Sequence, residues 1–232
     1  QADRPPDSRQ PSLAPSPPAA RPPAPADSDR GGWIDHLRAY GVWADRWTSP
    51  SLLAQLHESF KRPIDTVICS ALDGDPNLPI AAAIATQELD RVIAGLQTIA
   101  RIVGGARPML VLQRRLLPEV VASARGQGVT VMEIVNDYPQ ADPTILLASV
   151  LNRRLRPGRL PTDQGVVLLD TIAAAAVGRA ARSSQPMLRV PVAVFNHARQ
   201  ATVLYAVPVR SSLAHLLSCW KTAAVGFVYR GG

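Results

Sequence analysis

Residues 85–113, "ATQELDRVIAGLQTIARIVGGARPMLVLQ", decide the fold. Leu89, Val92, Ile93, Leu96, Ile99, Ala100 and Val103 recur at intervals of three and four, so they share one face of a helix. Gly104 and Gly105 stop that helix, because glycine enters the left-handed conformation of a C-terminal cap at little cost. The apolar "RPMLVLQ" then predicts a buried strand. A long helix delivered straight into a strand is one half of a β-α-β crossover, and the pattern continues in both directions.

Upstream, "IDTVICSAL" (64–72) is rich in β-branched residues and predicts a buried strand. Before it, "WIDHLRAY" places Trp33, Ile34, Leu37 and Tyr40 at helical spacing, with Gly41 as a stop. "SPSLLAQLHESF" predicts a second short helix, with Ser49 as its cap and Pro50 in its first turn. Downstream, "PEVVASARGQG" predicts a helix, "VTVMEIV" a strand, and "DPTILLASVLNRRL" a helix opened by Asp142 and Pro143. "GVVLLD" predicts a further strand and "TIAAAAVGRAAR" a helix. Strands separated by helices of this length imply right-handed crossovers, hence an α/β fold with a Rossmann-like, mostly parallel sheet and helices on both faces.

The two ends differ from this core. Residues 1–32 are rich in Pro, Ala and Ser and almost lack large apolar side chains, so they are expected to form a disordered, polyproline-like tether. The sheet domain then occupies 33–186. Beyond Pro186, "MLRVPVAVF", "ATVLYAVPV", "SLAHLLSCW" and "AVGFVY" read as strand, strand, helix, strand, a small β module over 187–232.

Composition narrows the chemistry. Apolar residues make up 47 % of the 232, and aromatics only 5 %. The formal charge of +7 and a pI near 10.2 imply attraction to anionic partners, but the arginines are scattered and few aromatics lie among them, so nucleic-acid binding is not expected. Cys69 and Cys219 lie far apart without a CxxC, which excludes a self-contained cysteine-ligated zinc or iron-sulfur site. His36, His57, His197 and His215 lack metal-ligand spacing, so no metal is expected; His36 and His57 read as surface residues of helices. No apolar run reaches the roughly 20 residues that span a bilayer.

The order of short motifs resembles the C subunit of the Rnf electron-transport complex and the flavoprotein subunit of respiratory complex I. In that family a strand ends in Asn-Ala/Gly-x-Glu-x-x-Pro; here "SALDGDP" (70–76) follows the first strand. Tyr138, Pro139, Gln140 and Ala141 stand where the family has YPQG, and "GRLPTDQGVVLLD" where it has GGLP and a strand. The resemblance implies an FMN-binding Rossmann-like domain followed by a β-grasp module of the soluble-ligand-binding (SLBB) type. It also implies partners among the subunits of an electron-transfer complex, and a cytoplasmic position, peripheral to the inner membrane face.

The same comparison points to a degenerate site. The family's glycine-rich FMN loop, of the type GGAGFPT, falls on "WADRWTSP" (43–50), where Trp43, Asp45 and Trp47 add bulk and negative charge. Glycine lets backbone N–H groups approach a phosphate closely, and Arg46 supplies only a side-chain contact in exchange. The motif's Asn is Ser70, its Glu is Asp73 and its Pro is Pro76; a second Asn is Asp170 and a Thr is Ala173. Arg46, Ser70, Asp73 and Asp170 are therefore the candidate cofactor-binding residues of a vestigial cleft, and Trp33, Trp43 and Trp47 a candidate wall over it. The expectation is a binding or assembly subunit with no FMN of its own. The alternative is that these residues rebuild an FMN or NADH site that passes electrons to clusters on another chain.

Overall fold

The computed structural model describes residues 23–212, apart from 27, 43–48, 76, 115–117, 136, 184 and 185, together with residue 214. Four strands, β1 (Thr66–Ser70), β2 (Arg107–Gln113), β3 (Thr130–Ile134) and β4 (Val166–Asp170), form one parallel sheet in the order β3-β2-β1-β4. A separate antiparallel hairpin pairs β5 (Arg189–Asn196) with β6 (Ala201–Pro208).

Alternate residues of the central strands face opposite sides of the sheet, and each face has its own cover. Val67, Cys69, Leu110, Leu112, Val167 and Leu169 face a core built with α1 (Arg30–Ala39), α2 (Leu52–Glu58), α4 (Leu89–Ile102), α5 (Pro118–Gly126) and α7 (Thr171–Ser183). On the other face Ile68, Met109, Val111 and Leu168 pack with Leu146 and Leu147 of α6 (Pro143–Leu151). Both sides of β1 and β4 are covered, which is why their sequences are continuously apolar rather than alternating.

Two local readings need correction. The helix expected through residues 85–105 is two: α3 (Ile80–Gln87) ends and α4 begins around Glu88, whose φ of −126° and ψ of 30° are not helical. The Glu88 carboxylate is held there by Arg179 of α7 and Arg91 of α4. At α2 the cap is Ser51, whose hydroxyl accepts the Ala54 N–H at 3.3 Å, and Ser49 serves elsewhere. Two helix ends also move: α1 begins at Arg30 rather than Trp33, and α6 stops at Leu151, with Asn152 left-handed, rather than running on to Leu155. Asp142 caps α6 by accepting the Thr144 and Ile145 N–H groups, and Gly104 and Gly105 adopt positive φ after α4.

Helices α4 and α7 cross at backbone contact. A Cβ on Gly95 would stand 1.8 Å from the Ala174 carbonyl oxygen, and one on Gly178 would stand 2.1 Å from that of Arg91. Only glycine at both positions permits this approach, which brings the N-terminal end of α7 into the same layer as α3 and α4.

The strand order reverses between β1 and β4. The chain steps outward from β1 to β2 to β3, then returns through α6 to place β4 on the opposite side of β1. The carboxyl ends beside such a reversal, a topological switch point, are where open α/β sheets bind ligands, and here the helices that follow β1 and β4 pack together on one face of the sheet.

Candidate functional site

Three of the four candidate residues meet at that switch point. Ser70 closes β1 and Asp170 closes β4, and the two are paired in register across neighbouring strands. Asp73 lies just beyond β1. The fourth, Arg46, falls outside the described residues, as do Trp43 and Trp47. Trp33 is buried in the core and donates its indole N–H to the Ala26 carbonyl at 3.1 Å.

The carboxylates are engaged with the chain's own helix ends. Asp73 accepts the Ala81 N–H at 2.7 Å and the Ala82 N–H at 3.1 Å, so it crowns the N-terminus of α3 from outside the helix. Asp170 accepts the Ala173 N–H at 2.8 Å and crowns α7 in the same way. Ser70 Oγ accepts the Leu72 N–H at 3.3 Å, and the Thr171 hydroxyl donates to the Ala81 carbonyl at 2.9 Å, tying the two helix starts together. Ser70, Asp170 and Thr171 are buried.

This packing sets the electrostatics. Burial pushes the Asp73 carboxyl up to about 6, opposed by the N–H groups of Ala81, Ala82 and Ile80 and assisted by the charge of Asp170. Burial also raises the Cys69 thiol well above its ordinary value, with Asp170 adding to the effect. The thiol therefore stays protonated at neutral pH and is a packing group rather than a nucleophile.

At this end Gln55 escaped the sequence reading, in which Ser49 is a helix cap. The outer edge of β4 is finished by side chains: Gln55 accepts the Leu168 N–H at 2.8 Å and donates to the Leu168 carbonyl at 2.8 Å, and Ser49 Oγ accepts the Asp170 N–H at 3.1 Å. Gln55 also donates to the Pro50 carbonyl at 2.9 Å. The signal was present in the spacing, since Leu52, Gln55 and Leu56 share the buried face of α2 and a buried amide demands partners. His36 is a further correction: it is buried between Trp33 and Tyr40, with Nε2 3.3 Å from the Ala180 carbonyl.

A surface cleft of about 870 Å³ runs between α3, α7 and the β5–β6 hairpin over Ile80, Ile84, Ile172 and Leu204. Ser70, Asp73 and Asp170 do not line it. Among the described residues, no group of His, Cys, Asp or Glu is arranged to hold a metal ion.

Sheet order, covered faces and a switch point crowned by two helix N-termini define a doubly wound α/β domain of the nucleotide- and flavin-binding type. Residues 52–179 match the Nuo51 FMN-binding domain, and the chain belongs to that family. It is 23 % identical over 180 residues to the cobalamin reductase PduS of Citrobacter freundii, spanning 75 % of this chain and 40 % of that protein. It is 24 % identical over 131 residues to the C subunit of the Na(+)-translocating ferredoxin:NAD(+) oxidoreductase complex of Acetobacterium woodii, spanning 55 % of this chain and 28 % of that protein. The fold is shared with a chain in the crystal structure of an NAD+-reducing [NiFe]-hydrogenase in the H2-reduced state. That likeness has a TM-score of 0.65 at 18 % identity and covers 83 % of this chain and 39 % of the other. The chain thus spans less than half the length of these relatives.

Proposed function

We propose that this chain is a degenerate member of the Nuo51 FMN-binding domain family, a binding or assembly subunit of an electron-transfer complex that carries neither FMN nor an iron-sulfur cluster of its own. The observation that carries this reading is the occupancy of the switch point by the chain itself. The N–H groups at the starts of α3 and α7, which an anionic ligand at this switch point would draw on, are already satisfied by Asp73 and Asp170. Two carboxylates at the same place repel a phosphate, so the described residues do not fit one.

The relatives' names support the setting: one is part of an oxidoreductase complex and one is a cobalamin reductase. On this reading residues 1–32 tether the domain, with α1 beginning at Arg30, and 187–232 form an SLBB-like β-grasp module to which β5 and β6 belong; residues 1–22 and 215–232 lie outside the described residues. The chain works beside partner subunits, peripheral to the inner membrane face; none of the described helices is long and apolar enough to cross a membrane.

A second reading rests on the family match itself, since its description is that of an FMN-binding domain. Here Arg46, Ser70, Asp73 and Asp170 hold FMN or NADH and pass electrons to clusters on a partner chain. Titration of the full chain with FMN separates the two. Unchanged flavin fluorescence and no retained flavin after dialysis are expected. Stoichiometric retention, or quenching of tryptophan emission by NADH, overturns the proposal in favour of the second reading.

A further inference from the structure

Six of the arginines are gathered by the fold at one end of the sheet. Arg62 lies in the α2–β1 connection, Arg107 opens β2, and Arg153, Arg154, Arg156 and Arg159 lie between α6 and β4. All three segments lead into the amino ends of strands, so these cations collect at the end of the sheet opposite the switch point.

Two carboxylates organise them. Asp65 receives two bonds from the Arg153 guanidinium, at 3.0 and 2.9 Å, while that guanidinium also donates to the Gln164 carbonyl at 2.7 Å. Asp163 receives Arg62 at 2.7 Å and lies 3.7 Å from Arg159 Nε. Six guanidinium groups thus share a face with two aspartates that fix the orientation of three of them. Arg154, Arg156 and Arg159 are exposed. In the same α2–β1 connection Phe60 is 46 % exposed, beside Lys61 and Arg62.

We infer that the amino end of the parallel sheet is a docking face for an acidic protein surface. Charge complementarity names the sign of the partner, and the composition names its class. Pre-oriented arginines beside an exposed aromatic are the groups that carry protein–protein contacts. The inference is independent of flavin binding, which concerns the other end of the sheet.

The test measures binding of the full-length chain to a fluorescent oligo-glutamate peptide, to vesicles containing phosphatidylglycerol and to a DNA duplex, each at low and high salt. The peptide is expected to bind most tightly and to weaken with salt. R154E/R156E should lose about tenfold in affinity, while R114E/R199E, an equal charge change beyond the carboxyl end of β2 and on the hairpin turn, should keep it. Should R154E/R156E fail to fold, R154Q/R156Q provides the same comparison at half the charge change. Equal loss in R114E/R199E reduces the effect to net charge and overturns the inference, as does tighter binding to vesicles or DNA than to the peptide. Flavin titration of the same variants is expected to match the parent chain, so failure here is distinguishable from failure of the proposed function.

Discussion

Gln55 does with a side chain what a fifth strand would do with its backbone. Its amide presents one donor and one acceptor to Leu168, both at 2.8 Å, on an edge that is buried and out of reach of water. Gln55→Leu preserves helix propensity and volume but strands the buried Leu168 N–H and carbonyl and removes the bond to the Pro50 carbonyl. An unsatisfied buried group costs about 1–3 kcal/mol, so the expected loss is about 2–5 kcal/mol, read from the midpoint of urea unfolding. Gln55→Glu, which keeps an acceptor but loses the donor, should fall at least as far. Asp73 is the second residue whose environment has a measurable consequence. Its carboxyl is raised from 3.8 to about 6 in the folded chain, chiefly by burial. A carboxyl raised on folding favours the native state while it is protonated. Its contribution is complete below the unfolded value and disappears as pH rises through about 6. Stability should therefore carry a component that declines between these two pH values, and Asp73→Asn should flatten the difference between unfolding curves measured across that window.

At the scale of elements, the α4–α7 crossing is the contact with least tolerance. Gly95→Ala or Gly178→Ala sets a methyl group against a backbone carbonyl rather than against a side chain that could turn aside. Overpacking of this kind costs about 1–3 kcal/mol or more, and with backbone on both sides the expected loss is at least about 3 kcal/mol in thermal or urea unfolding. Glycines in a helix face were legible in the sequence as residues without an apolar role, but not as a matched pair, because their meaning depends on which helices cross. The same limit explains the missed division at Glu88. Between Ile84 and Leu89 stand Ala85, Thr86, Gln87 and Glu88, with no Gly or Pro among them, so nothing local announces a stop. The break is recorded instead by Arg179, 91 residues later, which takes hold of the Glu88 carboxylate. Local cues held at two ends, where Asp142 followed by Pro143 set the start of α6 and two glycines the end of α4, and misled at α2, where Ser49 and Pro50 stand just before the true cap, Ser51.

For the molecule as a whole, fold class was the most legible property, because alternating helical and strand periods leave few architectures to choose from. The site was legible in part. Motif order led to Ser70, Asp73 and Asp170, and the parallel sheet brings those three together at its switch point. What could not be read was their use: whether an aspartate beyond a strand reaches a ligand or its own helix N-terminus depends on a loop path of several residues, and here both aspartates turn back onto the chain. Charge distribution was also hidden, since arginines distant in sequence become neighbours only when three connections enter the sheet from one end.

The finished edge at β4 has a bearing on how such a domain can change over time. A parallel sheet normally enlarges, across evolution or in a designer's hands, by laying another strand against whichever margin still offers its peptide groups. With Gln55 and Ser49 already bonded along one margin, lengthening there would first require undoing two side-chain substitutes for a strand, and the intermediate would be less stable than either end state. Duplication, fusion or insertion of new β structure is therefore channelled toward the β3 margin, so the direction in which this architecture can grow is set by one glutamine on a short helix.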